Sequence, residues 1–346
     1  MLTFIVRRLL WSGALAFVIT LITFVVFFLI PNEVHTAPGQ HGLIEPSLQA
    51  QFNLHGSVLQ QYLGFLGHVV ERGDIGRSRV SGLPAFQTIG SALPVTASLV
   101  IGGTVFWLLL AVPIGLLSAL RPRSLLDKGL MILVLIGISA HPLWLGLVLS
   151  YVFGVRLHVF PVAGYCNFWR PGGSIPCGGP KFWADHMILP WLTFALLFAA
   201  LYARMIRASV LEALEEDYVR TAKAKGAGAW RVLRRHVLRN AIMPVVSMIG
   251  MDVGVAFGGA LFIEVVYGLP GMGTILFRAL GAGDLPVIMG VVLVVSIAVA
   301  VANLIADVGL SLIDPRLTAR GGRERSGMTT ARLRRPRARA GATATQ

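Results

Sequence analysis

The sequence predicts an all-α integral membrane protein with six transmembrane helices, and three observations carry that expectation. Of 346 residues, 55% are hydrophobic and only 13% are charged, where soluble domains carry roughly 25%. The apolar residues fall in long blocks instead of short alternating runs, which favours helices over a barrel. Six of those blocks reach the about 20 residues that cross a bilayer core as a helix. So few charges would not cover a water-soluble globule, and so much hydrophobicity excludes disorder for most of the chain.

The first block, Leu9–Ile30, follows Arg7-Arg8 and resembles a signal peptide at its start. Its 22 residues exceed the usual signal core of roughly 7–15, so it reads as an uncleaved anchor. Residues 31–93 are too long for a plain loop and are expected to carry structure of their own. They contain Gly73-Asp74-Ile75-Gly76-Arg77-Ser78, and Pro31 and Pro94 at their ends read as helix boundaries. The next blocks are Pro94–Leu120, Gly129–Gly154 and Ile188–Ile206, the last closing near Arg204. Pro244–Ile263 and Pro286–Ile313 complete the set.

Six crossings put both termini on one side, and basic residues choose it. Segments 1–8, 121–128, 204–243 and 314–346 hold 23 of the 30 Lys and Arg; the opposite segments hold 7. The positive-inside rule therefore predicts that both ends are cytoplasmic. Without the Arg-rich tail the bias is still 14 against 7.

Polar and small residues inside the spans are the first candidate sites. Asp252 lies in the fifth block, and Asn303 and Asp307 lie in the sixth. Intramembrane acids face protein or a water-filled cavity. Asp252 thus reads either as part of a substrate path or as a hydrogen bond to a neighbouring helix. Gly250, Gly254 and Gly258 recur every four residues, a groove for close helix approach, in internal packing or at a dimer seam.

Two outer loops add candidates. Residues 155–187 hold both cysteines, Cys166 and Cys177, and an outer location permits a disulfide. Two free thiols are the alternative, and the ligand pairs usual for zinc are missing. In the last outer loop, Pro270-Gly271-Met272-Gly273 has the composition of a segment that dips back toward a cavity.

The inner segment between the fourth and fifth blocks is the most informative. Its acids come first (Glu212, Glu215, Glu216, Asp217) and its bases later (Arg220, Lys223, Lys225, Arg231, Arg234, Arg235, Arg239), the order a helix dipole favours. Gly226 and Gly228 predict two helices joined by a turn. Such a hairpin suits a surface helix on anionic headgroups or a plug for a cytoplasmic partner.

Asp217-Tyr218-Val219-Arg220-Thr221-Ala222-Lys223-Ala224-Lys225-Gly226, followed by Arg235-His236-Val237-Leu238-Arg239-Asn240-Ala241 and Pro244, closely resembles the cytoplasmic signature of ABC-importer permeases. The match is to the B-type permease of the dipeptide/oligopeptide and nickel branch. In general form that signature reads EAA, three residues, Gly, nine residues, I-x-L-P. Here Arg220-Thr221-Ala222 stands for EAA, and Arg239 follows Leu238 where proline is usual, the proline being displaced to Pro244. Other fragments fit the same branch in order: Met1 to Leu10, Gly73 to Ser78 with Leu93-Pro94 and Thr96, Phe160 to Tyr165, Glu264 to Gly273, Asp284 to Val287, and Leu312 to Arg316. Residues 318–346 lie outside the resemblance.

The resemblance implies a type I importer permease fold. Its parts would be an N-terminal helix (1–30), an extracytoplasmic segment (31–93), a permease core (94–313) with a coupling segment at 207–243, and an inner tail (314–346). It implies a homologous C-type permease partner, two cytoplasmic ABC ATPase subunits and an extracytoplasmic peptide-binding protein, with peptides as cargo. Asp217 to Gly226 would be the coupling helix seated on one ATPase. The chain has no G-x-x-x-x-G-K-[ST] phosphate loop, and Gly271-Met272-Gly273 lacks the lysine. ATP and Mg are thus expected on the partners, and no cofactor on this chain.

A secondary transporter or channel would also use six spans. An intramembrane enzyme would need a constellation such as H-E-x-x-H or G-x-S-x-G, and neither occurs. The run Arg332, Arg334, Arg335, Arg337, Arg339 is poor in aromatics and follows a membrane span, so it reads as a solvated or lipid-facing tail and not as a nucleic-acid arm.

Overall fold

The computed structural model describes residues 2–29, 58–73, 75–169 and 177–313. Pro31, Asp74, the stretch from Asp314 onward with its arginine run, and the side chain of Asp307 lie outside the described residues. Ten helices make up the described fold: α1 Leu2–Leu29, α2 Val58–Arg72, α3 Ala85–Leu120, α4 Leu125–Ser139 and α5 Pro142–Arg156. They continue with α6 Pro180–Glu215, α7 Asp217–Ala224, α8 Ala229–Tyr267, α9 Met272–Ala282 and α10 Leu285–Ile313.

Four helices are long and apolar enough to cross a membrane: α3, α6, α8 and Leu285–Ala306 within α10. The bent pair α4–α5 makes a fifth if it counts as one span. α1 is 28 residues long, and its described side chains include the apolar stretch Gly13–Val26. The chain is an all-α, multi-span membrane protein.

The core forms where α3 meets α6. Trp107 on α3 is fully buried and stacks on Phe198, with ring centroids 4.5 Å apart, between Phe194 and Tyr202. Glycines on α3 admit these rings: a Cβ on Gly102 would lie 2.2 Å from the Trp191 ring, and one on Gly103 would lie 2.4 Å from Phe194. This is close packing that uses small residues on one helix as sockets for large ones on the other. At the chain's start, α2 folds back on α1. Tyr62 sits buried between Phe17 and Phe24 and shares a 2.6 Å hydrogen bond with Thr20.

Two expectations are corrected by the structure. Pro94 does not end a helix; α3 runs through both Pro94 and Pro113. Each ring removes one intrahelical hydrogen bond, yet the residues flanking Pro94 (Ala92, Val95, Thr96, Leu99) are buried, so tertiary packing holds the axis. The third apolar block is not one helix, because α4 and α5 meet at 110°. Pro142 opens α5, and the residue before a proline is pushed to extended geometry: His141 has φ −75° and ψ 138°, and its Nδ1 accepts from the Leu143 N–H.

Candidate functional site

α8 is continuous for 39 residues, with a π-helical turn at Leu233–Val237, and is about 58 Å long at 1.5 Å per residue. It separates two groups of polar residues, one at each end of the bundle.

At the first end, α6 stops at Glu215, Glu216 is extended, and α7 starts at Asp217. α7 is amphipathic: Val219 is fully buried and Ala222 half-buried, while Asp217, Tyr218, Arg220, Thr221, Lys223 and Ala224 are exposed. Lys225 and Gly226 form the turn, with Gly226 at φ +79°, and the Ala227 N–H returns to the Ala222 carbonyl. The Arg220–Asp217 pair, at 3.8 Å on the surface, adds little. Behind the hairpin lies a groove lined by Ser209, Glu212, Glu216, Tyr218, Asn240 and Pro244.

The base of this end is clamped by a pair the sequence did not single out. Arg207 on α6 donates to both Asp127 oxygens at 2.9 Å. Asp127 also accepts from the Ser118 hydroxyl on α3 and from the Arg123 N–H. Its own N–H donates to Ser124, the N-cap of α4. One carboxylate thus joins α3, α4 and α6, with a bidentate guanidinium as its strongest partner. The only sequence signal was Ser124-x-x-Asp127 ahead of an apolar run, a capping pattern.

At the second end, separate sequence fragments converge. Glu264, buried near the end of α8, accepts from the Thr96 hydroxyl at 2.6 Å and from the Thr274 N–H at 3.0 Å. Thr96 in turn accepts from the Met272 N–H. Glu264 and Thr96 therefore satisfy the first orphan amides of α9. Gly271 is required by the same contact, since a Cβ there would lie 2.3 Å from the carboxylate. Tyr267 bonds Thr193 on α6 and the Gly146 carbonyl on α5, and its own carbonyl accepts from the Gly164 N–H. Asp284, ahead of α10, accepts from Ser78 at 2.6 Å and from the Val80 N–H at 3.3 Å. Cys166 and Cys177 are joined as a disulfide with Cα atoms 5.3 Å apart. His186 lies against them, the one grouping with metal-ligand chemistry among the described residues; the disulfide consumes both sulfurs.

Between the ends, Asp252 is buried and accepts from Tyr202 on α6 at 2.6 Å. A Cβ on Gly250 would lie 2.5 Å from Ala306, and one on Gly254 would lie 3.0 Å from Val299, so both face α10. Gly258 meets nothing within 4 Å and lines an apolar cavity of about 280 Å³. Met272, Gly273, Thr96 and Asn303 line that cavity too, whereas Asp252 and the exposed Pro270 do not. The structure thus brings together Gly258, Met272 and Gly273 from the candidate list and leaves Asp252 engaged elsewhere.

Residues 111–319 match the family model described as binding-protein-dependent transport system inner membrane component, and residues 1–100 match that of its N-terminal part. A putative peptide permease protein of Brucella suis is 36% identical over 92% of this chain and 99% of its own length. The oligopeptide transport system permease protein AppB of Bacillus subtilis is 32% identical, and the dipeptide transport system permease protein DppB of Escherichia coli is 33% identical. Each is covered over 99% of its length and covers 92% of this chain.

Proposed function

The chain belongs to the family of binding-protein-dependent transport inner-membrane components, and on that premise we propose that it is the B-type permease of an ATP-driven peptide importer. It crosses the cell membrane six times, α1 and the bent α4–α5 pair each counting once, with both termini in the cytoplasm. A homologous C-type permease forms the other half of the path. Two cytoplasmic ABC ATPases bind ATP and Mg, and an extracytoplasmic binding protein delivers the peptide. The chain itself catalyses no reaction. Residues 1–30 are the anchor, 31–93 the outer segment, 94–313 the core and 314–346 the inner tail.

One observation carries this reading. α7 is a short helix fixed by buried Val219 between two apolar helices, with Asp217, Tyr218, Arg220, Thr221, Lys223 and Lys225 turned to solvent. A helix anchored on one face and free on the other transmits a push. ATPase closure on its free face would move α6 and α8 together, and the Asp127–Arg207 clamp would pass that motion to α3 and α4. The membrane domain would then shift between two packed arrangements, driven by a ligand bound to the partner. Peptide as cargo is supported by the names of the three relatives.

Gly226→Pro tests the reading. Proline holds φ near −65°, incompatible with +79° at this turn, and it removes the N–H that donates to the Lys223 carbonyl. ATPase co-purification and ATP-dependent peptide uptake should both fall. Normal levels of both would overturn the assignment, and uptake driven by an ion gradient without ATPases would favour a secondary transporter.

A further inference from the structure

Beyond α7, Arg231, Arg234, Arg235 and Arg239 lie on the first part of α8. All four are exposed and line one concavity of about 490 Å³. The backbone turns π-helical over Leu233–Val237, and the concavity the four side chains share places them as one stripe on the helix. Among the described residues, none of the four guanidinium groups has a carboxylate partner. Like charges gathered in one concavity repel, and a bound anion would relieve that repulsion.

Its depth indicates which anion. The 39 residues of α8 span about 58 Å, nearly twice the hydrocarbon thickness of about 30 Å. If the apolar run from Pro244 enters the hydrocarbon, Arg239 lies about 7 Å before it. That is the depth of the headgroup layer, which is about 5–8 Å thick on each side. Arg231 lies about 12 Å further out than Arg239, beyond that layer, whereas Arg234 and Arg235, about 6–8 Å further out, have side chains long enough to reach back to it. The four cations are all arginine, whose planar fork pairs with phosphate oxygens two bonds at a time; the nearby lysines, Lys223 and Lys225, sit apart at the hairpin tip.

We propose that Arg234, Arg235 and Arg239 form a binding site for the phosphodiester headgroup of an anionic phospholipid, fixing α8 at the membrane surface. The proposal needs α8 to span a membrane and does not depend on peptide transport.

The test uses the full-length chain in nanodiscs of phosphatidylcholine containing a minor fraction of phosphatidylglycerol, with retained lipid quantified by mass spectrometry after detergent extraction. Phosphatidylglycerol should be enriched on the wild type. R234Q, R235Q and R239Q should each lower that enrichment about five-fold and the R234Q/R235Q pair further, while R231Q, outside the headgroup layer, should lower it least. The quadruple Arg→Lys variant keeps the charge and guards against misfolding; it should retain lipid better than any Gln pair. Millimolar inorganic phosphate should not displace the lipid, because it lacks acyl chains. Absence of enrichment, an unaffected quadruple Gln variant, or displacement by free phosphate would each overturn the proposal. So would a Gln variant that holds phosphatidylglycerol normally but loses ATPase co-purification, since the stripe would then be a protein-docking surface.

Discussion

Thr96 and Glu264, 168 residues apart in sequence, share a buried 2.6 Å hydrogen bond that closes α3 onto the end of α8 and the start of α9. With Thr274 and Met272 in the same network, the pair replaces the amide partners that α9 lacks at its first turn. Glu264→Ala should lower stability by about 2 kcal/mol, because it strands the Thr96 hydroxyl and the Thr274 amide in a buried site. Thermal unfolding of the detergent-solubilised chain measures this. Gly271→Ala should destabilise comparably, since its Cβ would meet the carboxylate at 2.3 Å, while Gly258→Ala, with nothing within 4 Å, should leave the midpoint nearly unchanged. Equal effects at the two glycines would refute the role given to the carboxylate.

Arg207 and Asp127 form the corresponding clamp at the hairpin end. The Asp127 side chain is 6% exposed and that of Arg207 is 27% exposed. Arg207→Ala leaves a buried carboxylate without its main partner and should cost about 2–3 kcal/mol, the low side of a fully buried pair. Asp127→Asn keeps a polar group toward Ser118 and Arg123 and should cost less. A double Asp127→Asn/Arg207→Gln variant that recovers part of the loss would establish the coupling; strict additivity in the unfolding midpoints would deny it.

The disulfide offers a third check. Cys166 and Cys177 are 11 residues apart, and closing a loop of this size is worth about 3 kcal/mol in the chain-entropy account. Chain purified without reductant should therefore show no titratable thiol before unfolding and two after reduction. Cys166→Ser/Cys177→Ser should unfold earlier, whereas two reactive thiols in the untreated chain would assign the pair as free.

Much of this architecture is legible in sequence wherever the signal is a run or a period. The apolar blocks, the hairpin at Gly226 and the spacing of Gly250 and Gly254 are signals of that kind. The polar ties are not, because Ser78–Asp284 and Thr96–Glu264 join single residues across 206 and 168 positions and leave no period behind. Proline shows the limit from the other side. Pro94 and Pro142 look alike as helix breakers, yet α3 absorbs the first among buried neighbours, while the second opens α5 behind a capping His141. Asp252 was ambiguous for a similar reason: an intramembrane acid carries no mark in sequence of whether a tyrosine such as Tyr202 waits on the next helix.

Gly226 provides the sharpest prediction for the hairpin. It sits at φ +79° with no atom within 4 Å of its Cβ position, so a substitution there meets backbone strain and no clash. Gly226→Ala should therefore destabilise the turn by about 1–2 kcal/mol, the cost of left-handed geometry for an L-residue. Gly226→Asn should recover much of it, since asparagine tolerates that region. If α7 is the contact for an ATPase, co-purification of the ATPase subunits should follow the same order: glycine, then asparagine, then alanine, with proline last. Side-chain size would instead rank alanine ahead of asparagine, so an order with alanine nearest to glycine would separate steric exclusion at a partner surface from the turn geometry proposed here.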